Sequence, residues 1–251
     1  MALCFLKNAE LEKALQKYKG RVVLRGDQVK DEHGFQAVFT EQGASASHMV
    51  AAKSLDGIAR MPGMAGSAAD ARSAYTQVPL SMLSELLQIP EHECQKIWVS
   101  LPRDRWPKHW RSIEDPVVPL DRNLYGHPLA GLLWEKYLEH QLSKIGWRKV
   151  RGWECLYLHP KDKLFLSVYV DDFKLVGKQA NIKPMWAKIR KYIELDPETP
   201  MVDRVYLGCT QREVQPNRKV IEEKQKLFAQ LMSKKTPEPK EGVRQSTSIF
   251  F

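Results

Sequence analysis

Cysteine is scarce and scattered in this chain of 251 residues: Cys4, Cys94, Cys155 and Cys209 lie far apart, with no Cys-x-x-Cys pair. That spacing argues against a zinc ribbon or a dithiol redox motif, and His92-x-Cys94 reads as a chance pair in a loop. Reduced thiols are expected, in an intracellular protein of the cytoplasm or nucleus. Long apolar runs are missing too. No stretch reaches the ~20 residues that span a bilayer, and the apolar start, residues 1–6, meets Lys7 too soon for a signal-peptide core. The expectation is a protein that is neither secreted nor embedded in a membrane. Acidic residues are outnumbered, 30 Asp and Glu against 39 Lys and Arg, for a formal charge of +9. Such a balance suits a polyanionic partner such as nucleic acid, and equally a soluble basic protein. No internal repeat is visible.

With 43% hydrophobic residues, the chain can bury a core as one large domain or two small subdomains. Its densest apolar stretch, residues 164–177, reads Leu-Phe-Leu-Ser-Val-Tyr-Val-Asp-Asp-Phe-Lys-Leu-Val-Gly, and only Asp171, Asp172 and Lys174 break it with charge. The pattern predicts two short strands folded back on each other with the aspartates at the bend. A buried carboxylate whose partner is missing costs about 3–5 kcal/mol, so the pair calls for water or a cation. A divalent metal meets that need.

Taken in order, residues 9–18 have a helical pattern, and residues 19–27 read as a strand flanked by Lys19, Arg21 and Arg25. These cations either solvate an edge strand or neutralise a triphosphate. Residues 47–59 carry a helical stripe with Ser45 or Ser47 as its cap. Next, Asp70 sits among small residues five positions before Tyr75, either as the N-cap of a short helix or as a site carboxylate that a large ligand can approach. A short helix within 81–93 and a strand at 97–101 lead to residues 102–111, where Arg103, Arg105, Lys108 and Arg111 interleave with Trp106 and Trp110. That loop reads as a clamp for a nucleic-acid strand or as a proline-stiffened surface loop. Leu124-Tyr125-Gly126 opens an amphipathic helix, and its glycine lets backbone approach a ligand closely. A strand at 153–159, a helix at 184–193 and a strand at 205–209 follow, then a basic helix over 213–235 and a disordered tail at 236–251.

The ordered set of basic strand, Asp70 with Tyr75, Leu-Tyr-Gly, Tyr169-Val170-Asp171-Asp172 and Tyr206-Leu207-Gly208 resembles the reverse transcriptase domain of copia-type LTR retrotransposons, part of a Pol polyprotein. The resemblance covers residues 19–212, after an N-terminal helical extension at 1–18. It implies an α+β fold, the fingers and palm of a right-hand polymerase, with an antiparallel palm sheet backed by helices. It implies RNA- and DNA-directed DNA polymerase activity using two Mg2+ ions, for which Mn2+ substitutes, with a template-primer and deoxynucleoside triphosphates as partners. Asp70, Asp171 and Asp172 match the catalytic, metal-holding carboxylates, and Tyr169 and Val170 complete the hairpin. Tyr75 matches the aromatic beneath the incoming sugar. Lys19, Arg21, Arg25, Gly126 and Leu129 fall on nucleotide-binding segments, and Tyr206, Leu207 and Gly208 on the segment that positions the primer. Leu129 departs from the glutamine of many copia-type enzymes, whose motif reads Leu-Tyr-Gly-Leu-Lys-Gln-Ala-Pro. No thumb, RNase H or integrase segment is expected within the chain. The alternative reading is a catalytically silent, truncated remnant that folds and binds nucleic acid through its charge. An unrelated metal-dependent phosphotransferase would leave the ordered motifs unexplained.

Overall fold

Strands form where apolar and β-branched residues find a partner, and the computed structural model of the chain shows this from its first residues. It describes residues 1–201 except 8, 32, 40–42, 44, 45 and 95, together with 205, 206, 209, 210, 222, 223 and 226. Strand β1 (Ala2–Lys7) pairs antiparallel with β2 (Lys17–Val22), with Phe5 opposite Lys19 and Leu3 opposite Arg21. This corrects the expected N-terminal helix: among the described residues between the strands, Lys13–Leu15 form a single 3-10 turn and no α-helix is present. An isolated helix of ten residues is marginal. The hairpin ladder outcompetes it, and Gln16 closes the connection by donating to the carbonyls of Ala9 and Leu11.

The central sheet joins β3 (Met64–Asp70), β6 (Arg148–Lys149), β7 (Leu156–His159), β8 (Leu164–Tyr169), β9 (Asp172–Lys178) and β10 (Thr199–Pro200). Its order is β10-β3-β9-β8-β7-β6, and every neighbouring pair is antiparallel. A separate hairpin pairs β4 (Trp98–Ser100) with β5 (Val117–Pro119). The strand expected over 205–209 is instead two short pieces, β11 (Val205–Tyr206) and β12 (Cys209–Thr210), paired with each other. Four α-helices lie among the described residues: α1 (Met49–Ala59), α2 (Leu83–Leu87), α3 (Ala130–Ser143) and α4 (Gln179–Ile189). The content is mixed α and β with antiparallel sheets, in agreement with the expected α+β class.

Period-2 alternation assigns the two faces of the sheet. Phe173 and Leu175 of β9, with Leu164, Leu166 and Val168 of β8, bury into the main core beneath α3 and α4. Each such side chain contributes about 1.5–3 kcal/mol of burial. Val176 and the partly buried Phe165 point the other way, into a smaller cluster with Ala51 and Leu55 of α1. Helices therefore cover both faces, α3 and α4 on one and α1 on the other.

Three helix starts differ from expectation; α3 begins at Ala130 rather than at Leu124. Helix α4 begins at Gln179, so Pro184 lies inside it. An interior proline costs about 3 kcal/mol, which the burial of Ile182, Met185, Trp186 and Ile189 offsets. Helix α1 has His48 at its N-cap with no side-chain cap bond. Ser47 is not the cap; its hydroxyl lies 2.6 Å from that of buried Ser167, and Ser45 is outside the described residues. Met1–Gln211 form one compact unit and Arg212–Phe251 a second. The expected basic helix, apart from the helical residues 222, 223 and 226, and the expected tail lie outside the described residues. No helix among the described residues is long and apolar enough to cross a membrane.

Candidate active site at the carboxylate end of the sheet

The acidic hairpin folds as its alternation dictates. Tyr169 of β8 pairs with Asp172 of β9, so only Val170 and Asp171 make the turn. Val170 has φ 55°, a left-handed conformation that is strained for a β-branched residue and costs on the order of 1–3 kcal/mol. Two outside donors hold the turn in that shape. The Trp134 indole N–H donates to the Val170 carbonyl at 2.7 Å, and the Ala71 backbone N–H donates to the Asp171 carbonyl at 2.6 Å.

Asp70 ends β3 directly opposite Asp172, the last pair of the β3–β9 ladder. Asp70 is thus a strand residue rather than the N-cap of a helix. Residues paired across an antiparallel ladder have Cβ atoms about 4.5–5.5 Å apart, so two carboxylates share one small patch, with Asp171 beside them at the turn. Like charges placed this way repel, and a cation between them removes the repulsion. Mg2+ takes oxygen donors and is commonly bound by one or two carboxylates together with water and substrate phosphates. The donor chemistry of Asp70, Asp171 and Asp172 fits such an ion. Among the described residues no group of three or more His, Cys, Asp or Glu is drawn together tightly enough to hold a metal by itself.

Next to the carboxylates lies an aromatic and cationic cluster from four segments. The rings of Tyr75 and Tyr125 are 4.8 Å apart between centroids. The Arg21 guanidinium lies 5.3 Å from the Tyr125 ring centroid and 5.5 Å from that of Phe5. Burial, and after it the negative charge of Asp171, push the Tyr125 phenol above its ordinary value of 10.0, while Arg21 pulls it back and Tyr75 adds to the rise. The electrostatic reach of Asp171 and Arg21 therefore meets at Tyr125.

The remaining candidates divide. Lys19 is exposed on β2, and Arg25 is engaged with Asp27 at 2.9 Å. Gly126 has φ 84°, and a Cβ there would come within 2.2 Å of the Leu24 carbonyl oxygen. Its close approach is thus to the chain's own backbone, where the Leu24 N–H donates to the Tyr125 carbonyl at 2.7 Å. Leu129 packs against the main core at the start of α3, and its N–H donates to His127 Nδ1 at 3.2 Å. Tyr206 is buried with its ring centroid 4.0 Å from the Lys174 ammonium. Leu207 and Gly208 lie outside the described residues.

Lys174 is the functional neighbour that sequence reasoning missed. It is 1% exposed, two positions after Asp172 on the same face of β9, and its ammonium lies 2.6 Å from the Asp56 carboxylate of α1. A lone cation inside an apolar strand was its visible signal. His127 and Trp134, which shape the segments around the carboxylates, carried no comparable mark. No protein-family model and no curated protein matches the sequence.

Proposed function

We propose that the chain forms the fingers and palm of a template-directed DNA polymerase of the reverse transcriptase class, as its resemblance to copia-type retrotransposon enzymes implies. The observation that carries the reading is the register of Asp70 opposite Asp172 at the mouth of a turn that contains Asp171. Carboxylates from separate segments converging on one place are what two-metal phosphoryl transfer requires.

In this reading Asp70 and Asp171 hold two Mg2+ ions, or Mn2+, with Asp172 sharing one. When bound, the ions lower the pKa of the primer 3′-hydroxyl and stabilise the charge of the triphosphate and departing pyrophosphate. Arg21, held over the Tyr125 ring, meets the negative triphosphate, and Lys19 lends further positive charge from the same strand. Arg25 is tied to Asp27 and acts only if a nucleotide displaces that partner. Tyr75, packed against Tyr125, offers an aromatic edge to the sugar and disfavours a 2′-hydroxyl. Leu129 has no hydrogen-bonding group to give, so nucleotide binding rests on Arg21, Tyr75 and the carboxylates. Template-primer and deoxynucleoside triphosphates are the partners, in an intracellular setting.

A second reading is a catalytically silent remnant that folds and binds nucleic acid. It is favoured by the lack, among the described residues, of a carboxylate group tight enough to hold a metal by itself. Titration of dTTP in the presence of Mn2+ separates the two. The polymerase reading expects binding that is lost on chelation and in Asp171→Asn; a folded parent that does not bind dTTP with Mn2+ supports the remnant.

A further inference from the structure

The β4–β5 hairpin carries chemistry that the carboxylate site does not use. Trp98 pairs with Pro119 and Ser100 with Val117, so these four share one face, and it is the exposed one. Trp98 is 57% exposed. Residues 101–116 between the strands hold four cations, Arg103, Arg105, Lys108 and Arg111, against three carboxylates, Asp104, Glu114 and Asp115, with the cations gathered in the first part of the loop and Glu114 and Asp115 at its end beside β5. Arg105 Nε lies 3.2 Å from the Asp104 carboxylate, which neutralises that pair. Arg103, Lys108 and Arg111 make no ion pair among the described residues.

The loop holds its own shape. Pro102 and Pro107 each introduce a 3-10 turn, Arg103–Arg105 and Lys108–Trp110. The Trp106 indole N–H donates to the Leu101 carbonyl at 2.8 Å, and the Arg103 guanidinium sits 5.6 Å from the Trp106 ring centroid. Such a preorganised surface loses little entropy on binding. An exposed indole offers a face for a base, a guanidinium over an aromatic ring offers another, and cations outside any ion pair meet phosphates. An apolar protein partner would be served by Trp98 and Val117, but it would make no use of Arg103, Lys108 and Arg111, which no ion pair among the described residues engages.

We propose that the β4–β5 hairpin is a binding site for single-stranded nucleic acid, which stacks a base on Trp98 and places phosphates against Arg103, Lys108 and Arg111. The site needs neither the three aspartates nor a divalent ion, so it goes beyond the polymerase reading.

Fluorescence anisotropy of a labelled oligo-dT strand, measured with the whole chain in EDTA, tests it. Trp98→Ala and the double variant Arg103→Ala/Arg111→Ala are each expected to weaken binding about tenfold. The double variant also lowers the salt dependence by about 1.4 in the log–log slope, the value for two lost single-strand contacts. The exposed pair on and beyond α4 serves as a charge-matched control, and Lys183→Ala/Lys191→Ala should keep the parent's affinity. Unchanged affinity in both hairpin variants, or an equal loss in the control, overturns the proposal. A parent that binds no strand also overturns it and leaves the face to a protein partner. Strand binding without any nucleotide incorporation by the parent sinks the polymerase reading alone.

Discussion

The indole of Trp134, deep in the core on α3, donates its N–H to the carbonyl of Val170 at the tip of the acidic hairpin, 36 residues further along the chain. Through this bond the helix that packs under the sheet also fixes the strained residue beside Asp171. Trp134→Phe keeps an aromatic ring but removes the donor, leaving a partly buried carbonyl without its partner. A loss of about 1–3 kcal/mol is expected, read from the urea midpoint, with the denaturant slope unchanged. An unchanged midpoint would mean that the turn holds its shape without the indole.

Beneath the carboxylates, Lys174 and Asp56 tie β9 to α1. Removing Asp56 takes away the carboxylate of the buried ammonium, which keeps the Ala52 carbonyl at 3.5 Å and the Tyr206 ring but no longer has that countercharge. Asp56→Ala should therefore cost about 3 kcal/mol or more, while the apolar pair Lys174→Met/Asp56→Leu should be near neutral, since well-packed replacements of buried ion pairs often are. Equal destabilisation by both would show that the pair's net attraction, rather than the charge left without its carboxylate, sets the cost.

His127 supplies a pH dependence whose sign is fixed by its burial, which pushes the imidazole below its ordinary value of 6.5. Its Nδ1 accepts the Leu129 N–H at the start of α3, and protonation removes that acceptor. Between the lowered folded pKa and 6.5 the unfolded chain binds more protons than the folded one, so stability falls as pH falls. Its contribution is fully present above pH 6.5 and lost as pH drops through the folded value. Melting temperature followed from pH 8 downward should fall less steeply in His127→Gln than in the parent; superimposable curves would remove His127 as the cause.

Much of this architecture was legible in the sequence, for identifiable reasons. The β8–β9 hairpin announced itself because apolar alternation is broken by charge only at and after the bend. Asp70 could be singled out, but its placement on a strand opposite Asp172 could not, because small residues such as Ala68 and Ala69 carry no strand signal. The N-terminal strand was hidden by the helical pattern that follows it, since its partner β2 decides its state. Pro184 looked like a helix start because the turn before it, 179–183, has little apolar content. Lys174 was visible as an oddity, yet its partner Asp56 lies 118 residues away. Local pattern reports the strand, whereas only the packed structure reports the pair.

Primer extension tests the central claim most directly. An RNA template annealed to a DNA primer, with deoxynucleoside triphosphates and Mg2+ or Mn2+, is given to the parent and to Asp171→Asn, whose fold is checked by circular dichroism. The account predicts that the parent extends the primer, that chelation abolishes extension, and that Asp171→Asn stays folded without extending. Extension that persists in Asp171→Asn, or a folded parent that extends nothing in either metal, would contradict it.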